Sequence, residues 1–250
     1  MSGIQEAKKK EKLCIVGCSD SKSETPFHLK DEFEFWGVNN LFLTMPGPWS
    51  RWFEIHQITC EGGKWLRRGK EDFRGQAVPD YLTQLGKLPF PVYCQQPNPF
   101  MPNAVAFPFK QIIDRFGTYF TNTISWQIAY AILEDFKEIR IYGVDMAVDS
   151  EYFWQRPSCE YFLGLAVGMG IKIWLPDTCD LLKTRFMYGY EEAKELPFRA
   201  KIESMKKSMQ KRANQAQAQM AHHEKQVQQY IGAMSAVNEI DKIWKNVTGG

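Results

Sequence analysis

The chain has 250 residues, 31 Lys and Arg against 29 Asp and Glu, a formal net charge of +2, and 14% aromatic residues. That length carries one α/β domain plus an appendage, and the near-neutral balance excludes a general polyanion-binding surface while leaving room for a local basic site. No run of about 18 apolar residues occurs, so no membrane span is expected; the six cysteines show no CxxC pair and no His/Cys metal spacing, which predicts free thiols and a cytoplasmic protein.

Residues 1–12, MSGIQEAKKKEK, are polar and basic with no apolar signal segment, and read as a loose arm. LCIVG (13–17) is a buried-strand run that enters CSDSKSET, a loop rich in small and hydroxyl side chains. A strand followed by Gly and hydroxyls is where α/β proteins hold phosphates, and equally an ordinary βα turn. Neither GxGxxG nor the GxxxxGK P-loop is present. FEFWGV (33–38) is the second strand; Asn39 and Asn40 after it could read a base edge or a ribose through paired donors and acceptors, or form a turn. WFEIH (52–56) is the third. His56 closes it and is a candidate general base, with a structural histidine as the alternative.

Residues 59–110 are the least regular. Gly62, Gly63, Gly69 and Gly75 sit among Lys64, Arg67, Arg68, Lys70 and Arg74, which suits either a mobile basic lid over a phosphate or a solvated loop. The Pro-rich segment 89–108 follows, interrupted by VYCQQ (92–96) as a further strand candidate.

The chain is organised around 118–146, TYFTNTISWQIAYAILEDFKEIRIYGVDM. Thr121, Asn122, Thr123 and Ser125 cluster where a helix should begin, and Ile124, Ile128, Ala131 and Ile132 give its apolar stripe. Such an N-terminus is a ready anion site. EIRIYGV (138–144) is the next strand, and Asp145 after it could hold a ribose hydroxyl, a metal or an attacking group, or simply cap a turn. Gln155 and Arg156 fall in the loop beyond; Arg156 could grip a phosphate or pair with Glu151 or Glu160. A helix over 158–168 and a strand at IKIWL (171–175) complete a βαβ rhythm, the sign of a parallel sheet. Trp49, Trp52 and Trp154 could stack on a ligand or pack in the core.

Residues 200–246 contain one Gly and no Pro, and small or apolar residues recur at 202, 205, 209, 213, 216, 220, 227, 230, 234 and 237. This predicts one long helix or a helical hairpin with a weak coiled-coil seam that could self-associate.

The succession of LCIVG and its Ser-rich loop, WGVNN, RWFEIH, the Thr/Ser-started helix, IYGVDM and EYFWQRPSCEYFLG resembles phage-type Rossmann-like proteins. These are similar to the MptE-like (6-hydroxymethylpterin diphosphokinase-like) superfamily, which shares its architecture with the family 42 sialyltransferases that use CMP-sugar donors. The resemblance covers 13–183. It implies a nucleotide contact at Gly17, Cys18 and Ser19, base or ribose contacts at Asn39 and Asn40, phosphate at Thr121, Thr123 and Ser125, and Asp145 at the pocket edge. The first loop, Gly-Cys-Ser-Asp here, departs from the sialyltransferase Asn-Gly-Ser type, and their catalytic histidine has no clear match, His56 being only a candidate for it.

The expected fold is thus α/β, a Rossmann-like, mostly parallel sheet with flanking helices: arm 1–12, nucleotide-binding domain 13–190, and helical extension 191–250. The expected activity is a glycosyltransferase-like transfer from a nucleotide-activated donor. His56 or Asp145 would act as base, and Asn122, Gln155 and Arg156 would join the ligand contacts. The alternatives are a non-catalytic nucleotide-sequestering phage protein, in the host cytoplasm and oligomerised through 200–246, and an Mg-ATP pyrophosphokinase-like enzyme with Asp20 and Asp145 holding Mg²⁺. Nucleic acid ranks last, since no reader motif is present.

Overall fold

The computed structural model describes residues 10–146, 150–184, 188–189 and 197–248; most of the expected arm, and the expected boundary at 190/191, lie outside these described residues. Two units are distinguished, Met1–Ala193 and Lys194–Gly250.

In the first unit the strands are β1 (Lys12–Val16), β2 (Phe33–Val38), β3 (Arg51–Glu54), β4 (Ile58–Glu61), β5 (Lys64–Arg67), β6 (Asp72–Phe73), β7 (Gln76–Ala77), β8 (Val92–Cys94), β9 (Ala104–Ala106), β10 (Glu138–Tyr142) and β11 (Lys172–Trp174). The helices are α1 (Val78–Gly86), α2 (Phe109–Phe116), α3 (Thr123–Leu133) and α4 (Ser150–Gly168). Seven strands form one sheet in the order β11-β10-β1-β2-β3-β8-β9, every pairing parallel. The chain builds outward from β1 to β9 and then returns to place β10 on the other side of β1. Between β1 and β10 the strand order reverses, and in open α/β sheets such a switch point opens a crevice at the carboxyl ends of the strands.

Central strands of a parallel sheet are covered on both faces, which is why β1 is apolar at successive positions rather than alternating. Leu13 and Ile15 pack with Trp36, Val38, Phe53 and the apolar residues of α3 and α4. Cys14 and Val16 pack on the opposite face with Phe35, Trp52 and α1 residues Tyr81, Leu82 and Leu85. Trp52 is fully buried, and its indole N–H donates to the Asn39 carbonyl at 2.8 Å. Trp154 is 73% exposed, and neither it nor Trp49 lines the cleft described below.

The segment expected to be least regular is in fact ordered into elements. The hairpins β4–β5 and β6–β7 form a strap between β3 and α1, with α1, β8, β9 and α2 following. Its elements are two to nine residues long, too short for a periodic pattern to emerge from sequence. Helix α4 begins eight residues before the expected start, so Gln155 and Arg156 are helical rather than in a loop.

The second unit is one helix, α5 (Pro197–Thr248), not a hairpin. At 1.5 Å per residue it is about 78 Å long. Val227, Met234, Val237 and Ile240 on it are all more than half exposed. No helix among the described residues is long and apolar enough to cross a membrane.

Candidate functional site

A cleft of about 540 Å³ opens at the carboxyl ends of β1, β2, β3 and β10, against the N-terminus of α3. Its floor is a contact between two glycines. Gly17 N–H donates to Tyr142 O and Ser19 N–H to Gly143 O, both at 2.8 Å. A Cβ on Gly17 would sit 2.3 Å from Gly143 O, and one on Gly143, whose φ is +64°, would sit 2.4 Å from Gly17 O. No side chain fits either place.

Along β3 successive side chains alternate between faces. Glu54 therefore turns toward α1 and is fully buried. Its carboxylate meets four donors: His56 Nδ1 at 2.6 Å and Arg67 Nε at 3.2 Å on Oε1, and Arg67 Nη2 at 3.2 Å and Tyr81 O–H at 2.5 Å on Oε2. That fills its acceptor positions. Burial alone would push Glu54 up. The His56 hydrogen bond, the Arg67 and His56 charges and the Tyr81 hydrogen bond outweigh it and hold the carboxyl at about 2. Tyr81 is driven well above its ordinary value, by burial first and then by the Glu54 charge. Arg67 Nη2 also lies 2.8 Å from His56 Nδ1. A ring nitrogen cannot accept there and also donate to Glu54; the carboxylate can only accept, so Nδ1 carries the proton. In neutral His56 the basic nitrogen is then Nε2, which has no partner among the described residues.

Across the cleft, α3 begins at Asn122, whose side chain accepts from Ser125 N–H at 2.9 Å. The sequence TNTIS folds this way because Asn is a strong N-cap. Asn122 Nδ2 donates to Gln155 O at 2.9 Å and Thr121 Oγ1 pairs with Ser158 Oγ at 2.6 Å, which ties the cap to α4. The first helical N–H groups, of Thr123 and Ile124, have no acceptor among the described residues, and both residues line the cleft. Asn39, at φ +50°, has a buried side-chain oxygen with no hydrogen-bond partner among the described residues.

Ten of the residues singled out from sequence line this one cleft: Gly17, Cys18, Ser19, Asn39, Asn40, His56, Thr121, Asn122, Thr123 and Gln155. Three are placed elsewhere. Asp145 is a fastener between loops: the Ser21 hydroxyl donates to its Oδ1, Ser21 N–H to its Oδ2 at 3.3 Å, and Gly143 N–H donates to the same hydroxyl at 2.7 Å. Asp145 does not line the cleft. Ser125 is fully buried and its hydroxyl donates to Asn122 O at 2.8 Å, so it reaches no ligand. Arg156 donates to Glu160 at 2.8 Å and to Lys183 O at 3.1 Å, which is the structural alternative weighed for it.

The cleft also contains Arg67, Arg68 and Arg74 from the basic segment that reads as either a lid over a phosphate or a solvated loop, and Phe73, Phe120 and Trp126, which sequence reasoning does not pick out. Phe120 and Trp126 stack with centroids 3.6 Å apart. The available signals were Glu54 and His56 at i, i+2 on one strand face, and the repeated Arg-Gly pairs at 68–69 and 74–75. Among the described residues no Asp or Glu lines the cleft, and no group of three or more His, Cys, Asp or Glu could hold a metal. Mg²⁺ takes carboxylate oxygens, and with Asp145 engaged by Ser21 the described residues do not fit it.

No family model matches the chain, and no curated protein matches it. Among solved structures it is similar to the sialyltransferase CstII from Campylobacter jejuni in complex with a substrate analogue, cytidine-5'-monophosphate, at 17% identity over 66% of this chain and 79% of that one, with a TM-score of 0.43. The CMP-3FNeuAc complex of the same enzyme is similar at 14% identity over 68% and 80%, with a TM-score of 0.43.

Proposed function

We propose that the cleft binds a nucleotide or nucleotide sugar, and that the protein is a glycosyltransferase-like transferase with His56 as general base. The observation that carries this is His56 on one wall, held from behind by the buried Glu54, facing a helix N-terminus whose first N–H groups have no acceptor among the described residues. Glu54 orients the ring and stabilises the imidazolium that forms when Nε2 takes the proton of an acceptor hydroxyl. The Thr123 and Ile124 N–H groups and the α3 dipole suit the phosphate that leaves with the nucleotide. The orphaned Asn39 oxygen suits an exocyclic amine of a base. Gly17, Cys18, Ser19 and Asn40 complete the nucleotide contacts. Kinship with the phage-type and MptE-like proteins, and a cytoplasmic location, belong to the same proposal.

The exposed apolar stripe of α5 favours a second reading, a non-catalytic nucleotide-binding protein oligomerised by that helix. The pyrophosphokinase reading lacks a carboxylate pair at the cleft among the described residues.

A thermal-shift screen of nucleoside mono-, di- and triphosphates and nucleotide sugars tests the binding. Ligand at about 100 times its dissociation constant stabilises by about 2.7 kcal/mol. His56→Ala should keep that shift and abolish slow donor hydrolysis. Equal turnover in His56→Ala refutes the base; binding with no turnover of any donor by the wild type decides for the second reading.

A further inference from the structure

The strap brings two arginines to the cleft wall at matching turns. Arg68 and Gly69, with φ +53° and +75°, are the centre of a tight turn closed by Lys70 N–H to Arg67 O at 3.1 Å and Arg67 N–H to Lys70 O at 2.9 Å. Arg74 and Gly75, with φ +56° and +78°, are the two-residue loop between β6 and β7. Turns with positive φ at both centres favour Asn, Asp or Gly at the first position, because a larger L residue is disfavoured there. Both turns carry Arg instead, and both arginines line the cleft.

Neither guanidinium has a carboxylate partner among the described residues. Arg67 differs: it is buried, forked onto Glu54, and packed 3.9 Å from the Phe73 ring centroid. That pin joins β3, β5 and β6 and so fixes the base of both turns. Arg74 lies over the other end of the arrangement, 5.9 Å from the same ring, and opposes the burial that pushes the Cys18 thiol up in the first loop. With Arg67 offset by Glu54, the wall keeps two uncompensated positive charges, plus about half a charge from the α3 N-terminus. A monophosphate that links a nucleoside to a sugar brings one negative charge and a linking diphosphate two, and the free nucleoside mono- and diphosphates each carry about one more near neutral pH.

We infer that Arg68 and Arg74 grip the second phosphoryl group of a nucleoside-diphosphate-type ligand, whose first phosphate lies at the α3 N-terminus. This deepens the nucleotide reading and rests on it. Two guanidinium forks at fixed turns suit a phosphoryl oxygen set, which Arg binds in a bidentate manner.

The test is calorimetric titration of the full chain and of the double variant Arg68→Asn, Arg74→Asn. The substitutions create Asn-Gly, the pair these turns favour, so the fold is retained while both cations are removed. The titrants are each nucleoside monophosphate and its diphosphate, a monophosphate-linked sugar bearing a carboxylate, inorganic phosphate and inorganic pyrophosphate. The expected result is a diphosphate bound roughly tenfold or more tighter than its monophosphate, with that gain lost in the variant and monophosphate affinity held within about twofold. Equal affinities in the wild type, or an equal loss for both nucleotides in the variant, overturns the assignment while the nucleotide reading stands. A carboxylated monophosphate sugar that matches the diphosphate and shows the same arginine dependence overturns the second phosphoryl in favour of a carboxylate. Arginine-dependent pyrophosphate binding without any nucleotide binding supports the grip and refutes the nucleotide reading. Binding of none of these titrants refutes both.

Discussion

Glu54→Gln keeps the shape of the side chain and removes its charge. In the wild type the Glu54 carboxyl is depressed from its ordinary 4.5 to about 2. A depressed carboxyl contributes stability that is fully present above its unfolded value and is lost as pH falls through its folded value. With His56 and Arg67 both charged, a carboxyl held that low corresponds to about 3 kcal/mol. That agrees with the ~3–5 kcal/mol typical of breaking one side of a buried ion pair, here by leaving Arg67 without its carboxylate. The assay is urea unfolding of both proteins from about pH 7 down to about pH 2.5. Other carboxylates titrate in both proteins and cancel in the difference. The gap should reach about 3 kcal/mol by about pH 4.5, where the His56 and Arg67 charges both act on Glu54, and close toward pH 2. A gap that stays below about 1 kcal/mol at every pH above about 4, or one that does not shrink between about pH 4 and pH 2.5, would refute the reasoning that four donors stabilise an ionised Glu54.

Gly17→Ala forces a methyl to within 2.3 Å of Gly143 O. It should cost about 1–3 kcal/mol as strain and disturb the cleft floor, so a thermal midpoint equal to wild type would contradict the close approach. Ser21→Ala removes the hydroxyl that joins Gly143 N–H to Asp145. It should destabilise by about 1–3 kcal/mol in denaturant melts; a neutral result would return Asp145 to the list of free carboxylates. Deleting residues 194–250 should lower the number of protomers per particle found by sedimentation, because the exposed stripe of α5 suits a partner helix. An unchanged protomer number would end the coiled-coil proposal.

The strands LCIVG, FEFWGV and EIRIY, the Asn-capped start of α3 and the length of α5 were legible in the sequence, because each is set by neighbours within a few residues. An apolar run must be buried on both faces, a hydroxyl or amide must satisfy the first helical N–H groups, and a stretch without Pro and with one Gly can stay helical. Short elements lack that redundancy, which is why the two hairpins of the strap read as an irregular loop. Tertiary structure alone decided which polar groups are spent. Ser21 and Asp145 are distant in the chain and meet only because β10 pairs with β1; that pairing engages both carboxylate oxygens with Ser21. Glu54 could be seen beside His56, but its ionisation depends on Arg67 and Tyr81, which the strap and α1 bring to it. The arginines at 68 and 74 were visible as a basic segment, yet their place in the cleft depends on a turn geometry that disfavours them. The sequence carries the periodicities that bury side chains; the crossing of the chain from β9 back to β10 determines which strand ends meet, and so which side chains remain for chemistry.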